Sequence, residues 1–235
     1  KKMIFVITYN YPHRKTQDLL FRLLAKDFNN VEVFSTPWSE RKNFVPFMPH
    51  RPFEFHQNAT IDIYPEDLSK KLGFKYTELN SLDGLPSIGE NDYVLIGGAG
   101  IIKKELTDSK KIINSHPAYL PYVRGLDSMK WSILNDKPLG VTSHIISQEA
   151  DQGWLIKRSI VPLFAWDTFH SVAIRQYEME MDLLASAVLD IPDASMKTLK
   201  KDNVDVYRRM PNKLQKQMVE YFPEYLKKQL LIQNH

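Results

Sequence analysis

The chain has 235 residues, 43% of them hydrophobic and 25% charged, with a net charge of +3 at pH 7. These ordinary globular proportions exclude a disordered chain, a collagen and a coiled coil, and so weak and scattered a positive charge does not imply nucleic acid. Cysteine is absent, which excludes disulfides, thiol nucleophiles and cysteine-ligated metals.

Lys1-Lys2 is followed by only a short apolar run, Met3 to Tyr9, and no 18-residue apolar stretch occurs; a cytoplasmic protein without a membrane partner is expected. The Met3–Tyr9 run, rich in β-branched and aromatic residues, reads as a strand buried on both faces of a parallel sheet. Thr16 is placed to cap a helix carrying Leu19, Leu20, Leu23, Leu24 and Phe28 at helical spacing, ending at Asn29-Asn30, and Val31 to Ser35 reads as the next strand, parallel to the first. From Pro37 to Asn58, five aromatic rings lie among basic residues and prolines. This reads as a long surface loop whose rings either stack on a base or pin the loop to the core. Pro65 to Leu72 is a short helix with Gly73 at its C-terminal cap, followed by a strand, Phe74 to Glu78.

Asp92 to Ile102 is the strongest buried strand and runs into the glycine turn Gly97-Gly98-Ala99-Gly100 before a helical stretch, Lys103 to Ser109. The third glycine of a dinucleotide fingerprint would fall at Lys103, and that motif ordinarily follows the first strand, so the match is poor. The glycines do allow close approach of backbone groups to a flat ligand.

The next stretch organises the chain. Ile112 and Ile113 end a strand, and a side-chain period of two sends Asn114 and His116 to the same face. Pro117 and Pro121 force an ordered loop, Arg124-Gly125 supplies a turn, and Asp127 to Leu134 is helical. Val141 to Ile146 and Trp154 to Val161 read as strands, and Thr168 to Leu189 as a long amphipathic helix. Asn114, His116 and Asp151 together suit acyl transfer: an amide donates to an oxygen gaining charge, and a carboxylate orients an imidazole. With no cysteine and no G-x-S-x-G motif, the nucleophile belongs to the substrate. Histidine and acid spacings do not support a metal site, and none is expected.

Asn114-Ser115-His116-Pro117 with Leu120-Pro121 and Gly125, Gly140-Val141-Thr142-Ser143-His144, and Asp151-Gln152-Gly153 resemble the signature of the folate-dependent formyltransferases, and the resemblance covers Met3 to Leu189. It implies a Rossmann-like α/β core with an open, mostly parallel sheet, with Asn114, His116 and Asp151 as the catalytic trio. It also implies 10-formyltetrahydrofolate as formyl donor, held along Gly98, Ala99, Gly100, Ile101 and Ile102 and along Ser147, Gln148, Glu149 and Ala150.

Within that family, the form of the chain is most similar to the sugar-nucleotide N-formyltransferases of bacterial O-antigen and lipopolysaccharide biosynthesis. Their acceptors are amino sugars linked to dTDP or GDP, such as 4-amino-4,6-dideoxyglucose. Asn10, Arg14, Lys15 and Arg124 are the candidate substrate contacts; Arg14 and Lys15 at a helix start suit a pyrophosphate. A phosphoribosylglycinamide formyltransferase is the alternative, although the stretch Asn10 to Lys15 lacks that enzyme's small-residue phosphate loop. A nicotinamide-dependent oxidoreductase is the other. Residues 1–192 are expected to form the catalytic domain. Residues 193–235 form an extension with a strand from Val204 to Met210 and a helical tail. The tail's Met218, Tyr221, Phe222, Tyr225, Leu226, Leu230 and Leu231 need an apolar partner. They either fold back on the core or, as the resemblance favours, pair two copies into a homodimer.

Overall fold

The computed structural model describes residues 2–39, 44–51, 62–100, 102–108, 111–147, 153–199 and 205–233. The first apolar run is strand β1 (Ile4–Tyr9), and its alternation buries two faces. Ile4 and Val6 pack with Leu19, Leu20 and Leu23 of helix α1 (Arg14–Ala25), whereas Phe5 and Ile7 pack with Phe34 and Val94. Strand β2 (Val31–Thr36) lies parallel to β1, with Val31 opposite Ile4. Helix α2 (Pro65–Leu72) leads to β3 (Lys75–Glu78) on the outer side of β2, and β4 (Tyr93–Ile96) joins the inner side of β1.

A short helix α3 (Lys104–Thr107) precedes β5 (Ile112–His116), parallel to β4. After β6 (Arg124–Gly125) and α4 (Ser128–Leu134), strands β7 (Gly140–Ile146) and β8 (Gly153–Ile160) close the sheet antiparallel. The order is β3-β2-β1-β4-β5-β7-β8, the mostly parallel α/β sheet the sequence predicts. Helix α5 (Phe169–Asp190) covers one face through Tyr177, Met181, Leu184 and Val188. Its start is fixed by a reciprocal cap between Thr168 and Ser171. No helix among the described residues is long and apolar enough to cross a membrane.

Four expectations change. Thr16 is not a cap: His13 holds that position, and the Thr16 hydroxyl is buried one turn in, 2.5 Å from Thr8 Oγ1 and 2.9 Å from His13 Nδ1. With β1 alongside, the hydroxyl is shared between a strand residue and the His13 ring and does not cap the helix backbone. Phe28 lies beyond the end of α1 and packs on the core from there. Arg124-Gly125 is no free turn but pairs in parallel with β9 (Val206–Tyr207), a partner far along the chain.

The fourth change concerns the segment after Pro192. Helix α6 (Asn212–Gln233) places Met218, Phe222, Tyr225 and Leu226 in one buried cluster with Met129, Ile133, Leu139, Phe169 and Val172. The Tyr225 hydroxyl donates to the Lys137 carbonyl at 2.8 Å. The apolar surface assigned to a two-fold partner is therefore largely covered by the chain's own core, and among those residues Leu231 stays exposed. Residues on both sides of Pro192 share this core.

Truncating Phe222 to Ala should accordingly cost about 3–5 kcal/mol of global stability, as expected for a buried aromatic. Urea unfolding followed by circular dichroism measures it. A single transition at reduced midpoint is expected, and a loss below about 1 kcal/mol would mean that α6 is a loose appendage.

Candidate active site

Ligands of open α/β sheets bind at the carboxyl ends of the strands where the order switches direction. Here that switch lies between β1 and β4, and the neighbouring β5 ends in Asn114, Ser115 and His116. Asn114 stands opposite His144, and His116 opposite Thr142, across the antiparallel pairing with β7. The proline-rich loop that follows has carbonyls no strand can satisfy, and side chains replace the missing ladder. Pro117 O accepts from Ser128 Oγ at 2.8 Å and Gln176 Nε2 at 3.0 Å, Ala118 O from Thr142 Oγ1 at 2.7 Å, and Leu120 O from Arg158 Nη1 at 2.8 Å. The loop that carries the chain away from His116 is thus held at several points.

Two clefts meet at Asn114. One, of about 460 Å³, is lined by Tyr9, His13 and Trp38 on one side and by the glycine turn Gly97 to Gly100 with Ile102 on the other. A Cβ on Gly98 would come 3.0 Å from both the His13 and Tyr9 rings, so a side chain there would crowd the two rings and glycine lets the turn lie this close to β1 without that. The amides of Gly97 and Gly98 both donate to Ile7 O at 3.0 Å and so bind the turn to β1.

The second cleft, of about 310 Å³, holds Asn114, Ser115 and His116 beside Lys15, His50, Arg51, Lys130, Glu180 and Arg209. Lys15, Arg51 and Leu126 line both clefts, as does Asn114.

Glu180 is fully buried on α5 and lies 3.1 Å from Lys15 Nζ and 2.5 Å from Arg51 Nη1. Burial alone would raise its pKa, but the charges of Arg51 and Lys15 outweigh burial and hold the carboxyl below its ordinary 4.5. Lys130 is 1% exposed and donates to Gln215 Oε1 at 3.2 Å. His50 reports the resulting potential: burial first, then the charges of Arg51, Lys130 and Arg209, push its pKa well below 6.5 and keep the imidazole neutral.

Of the residues singled out from sequence, Asn114 and His116 meet in the second cleft, and Gly98, Ala99, Gly100 and Ile102 line the first. Ile101, Gln148, Glu149, Ala150 and Asp151 lie outside the described residues. Ser147, half-buried, follows β7, whose last residue Ile146 pairs with Gly153. Gly153 has φ +125°, and a Cβ there would stand 1.9 Å from Ile145 O, which accounts for the glycine after Asp151-Gln152.

Lys15 lines both clefts, but Arg14 does not join it there: its Nε binds the Asp18 carboxylate at 2.9 Å, one helical turn along α1. Asn10 fastens the loop after β1, donating to Glu78 Oε1 at 2.8 Å and accepting from Trp38 N at 2.9 Å. Arg124 is buried in β6 and lines neither cleft. Sequence reading passed over His50, Arg51, Lys130, Glu180 and Arg209. Two had a visible signal: Glu180 interrupts the apolar stripe of Tyr177, Met181 and Leu184, and Lys130 stands between Met129 and Ile133. A charge within an apolar face marks a buried partner.

Comparison with known proteins bears on the same residues. Residues 90–188 match the family described as formyl transferase. Over this stretch, somewhat under half its length, the chain is similar to a formyl transferase domain. That stretch includes Asn114, His116 and Asp151. The dTDP-4-amino-4,6-dideoxyglucose formyltransferase of Mycobacterium tuberculosis is 32% identical over 90 residues, 38% of this chain and 38% of that protein. The phosphoribosylglycinamide formyltransferase of Haemophilus influenzae is 32% identical over 104 residues, 43% of this chain and 49% of that protein. The chain thus spans less than half the length of these curated relatives. Among solved structures, a sugar 3N-formyl transferase in the presence of dTDP and 5-N-formyl-THF is alike in fold. Its TM-score is 0.58 at 20% identity, over 86% of this chain and 67% of that one.

Two outcomes follow from the electrostatics of the second cleft. Glu180→Gln should lower stability by about 3 kcal/mol in urea unfolding, because Lys15 and Arg51 lose their shared counter-charge while half-buried. The second concerns acid. A neutral His50 in the folded state means the unfolded state binds more protons below 6.5, so stability falls as pH drops through that value. Comparing urea midpoints at about pH 7.5 and 5.5, wild type should lose more than His50→Gln does; equal losses would remove His50 as the cause.

Proposed function

We propose that the chain is a sugar-nucleotide N-formyltransferase that moves the formyl group of 10-formyltetrahydrofolate to the amine of a nucleotide-linked amino sugar. The observation that carries this reading is the meeting, at Asn114, of a glycine-and-aromatic cleft with a cationic one. The first suits the flat ring system of a folate, and the second an anionic acceptor. The likeness to a dTDP-4-amino-4,6-dideoxyglucose formyltransferase supports the choice of acceptor.

In this reading the acceptor amine attacks the formyl carbon directly. A C–N bond to the sugar forms, the bond from the formyl carbon to N10 of the folate breaks, and the proton lost by the amine ends on N10. Asn114 donates to the formyl oxygen as it gains negative charge, from a position fixed by the β5–β7 pairing before the substrate arrives. His116, oriented by Asp151, stabilises that charge or carries the proton. No side chain becomes acylated.

A second reading, transfer to glycinamide ribonucleotide, is favoured by the Haemophilus influenzae relative and by a cationic cleft that suits a phosphate monoester as well. The two are separated by incubating the protein with 10-formyltetrahydrofolate and either dTDP- or GDP-linked amino sugars or glycinamide ribonucleotide, with product masses read for one added formyl group. Turnover of glycinamide ribonucleotide alone would overturn the first reading. In the productive assay, His116→Asn and Asp151→Asn should each cut kcat by about a hundredfold or more with unchanged melting curves. Near-normal turnover in either would mean the transfer centre is misassigned.

A further inference from the structure

The cations of the second cleft come from four separate pieces of chain: Lys15 from α1, Arg51 from the 44–51 segment, Lys130 from α4 and Arg209 from the stretch before α6. Among the described residues, the carboxylates lining this cleft are Glu180 and Asp127. Glu180 is shared by Lys15 and Arg51, and Asp127 Oδ2 accepts the Met210 amide at 2.9 Å. Among the described residues the lining therefore carries an excess of positive charge.

This excess is built in. Gln215 is fully buried, and its Oε1 accepts from Met48 N at 2.8 Å and from Lys130 Nζ at 3.2 Å, while its Nε2 donates to Met210 O at 2.8 Å. One amide thus joins three walls of the cleft. Arg209 is pinned on both sides: Arg208 O accepts from Trp131 Nε1 at 2.8 Å, and Met210 N is held by Asp127. Its guanidinium lies 5.2 Å from the Phe44 ring. Like charges are held together at a cost unless an anion completes them, and two guanidinium groups suit phosphate oxygens.

We infer that this cleft is a phosphate subsite, with Arg51 and Arg209 as its recognition residues and Lys15 and Lys130 supplying the positive field. The phosphate itself follows from the cleft's own chemistry; that it arrives on the formyl acceptor rests on the transfer reading above. The inference gives the chain beyond residue 190 a direct part in substrate choice. The phosphate is either the diphosphate of a nucleotide sugar or a monoester.

Isothermal titration of the full chain with inorganic pyrophosphate, dTDP and ribose 5-phosphate tests it, with 5-formyltetrahydrofolate as the control for the other cleft. Saturable pyrophosphate binding is expected, weakened about tenfold or more in Arg209→Gln, in keeping with the loss of a charge-assisted hydrogen bond. Folate affinity should stay unchanged in that variant. Arg51→Gln should weaken binding as well, but it disturbs Glu180, so Arg209→Gln decides. Tighter binding of dTDP than of ribose 5-phosphate supports the subsite with a diphosphate occupant, and the reverse order supports it with a monoester. Equal pyrophosphate affinity in wild type and Arg209→Gln, or no saturable binding of any of the three, overturns the subsite. Phosphate binding without formyl transfer to any amine would instead overturn the transfer reading and leave the subsite standing.

Discussion

A carboxylate with no solvent exposure sits in the middle of α5. An isolated buried charge costs several kcal/mol, and Glu180 is tolerated because Lys15 and Arg51 both reach it. Those two contacts tie together three parts of the chain that share no secondary structure: the first turn of α1, the long helix α5 and the 44–51 segment. All three converge beside Asn114. The same ion cluster that fastens the loop to the sheet therefore sets the charge of the cleft next to the candidate transfer centre. Electrostatic preorganisation of this kind requires groups that cannot relax away, and burial of Glu180 ensures that its partners stay put.

The second constraint is hydrogen bonding by two amides at the start of α6. Asn212 accepts from Phe47 N at 3.0 Å and donates to Val45 O at 3.2 Å, giving that backbone the partners a neighbouring strand would give. Gln215 does the same for Met48 and adds Lys130. The 44–51 segment thus lies between α6 and Glu180. Its aromatic rings follow suit: Phe44 and Phe47 lie against the cations Arg209 and Lys216. Among the described rings of this segment, these two pin the loop to the C-terminal segment, the plainer of the two roles expected for them, while Phe53 and Phe55 lie outside the described residues.

These ties explain how a site can extend past the residues that resemble formyl transferases. The matched stretch, 90–188, supplies β5, the proline loop and the lower part of the cleft. Lys15, Arg51 and Arg209 come from outside it. On the proposed reading, a chemical centre held on the sheet and an acceptor wall held by peripheral segments would let one reaction serve different acceptors, because wall residues can change without moving Asn114 or His116.

The sheet was legible because its strands are short apolar runs with β-branched residues and its helices carry stripes at helical spacing, both local patterns. Asn114 and His116 were legible because a strand's alternation places residues two apart on one face whatever surrounds it. Thr16 misled because a hydroxyl at a helix start satisfies a local rule, whereas here the hydroxyl is shared between a strand residue eight positions back and the His13 ring. Arg124-Gly125 read as a turn because its strand partner is some eighty residues away. Arg14, read as a substrate contact, is turned to Asp18 by the helix's own periodicity, while Lys15, one residue on, faces the cleft. By itself, then, the sequence determined the α/β class, the strand that carries the polar pair and the glycine turn beside it. Only the tertiary structure decided where the tail packs and which cations gather around Glu180, because pairing between distant charges and distant strands depends on chain closure, and no local period records it.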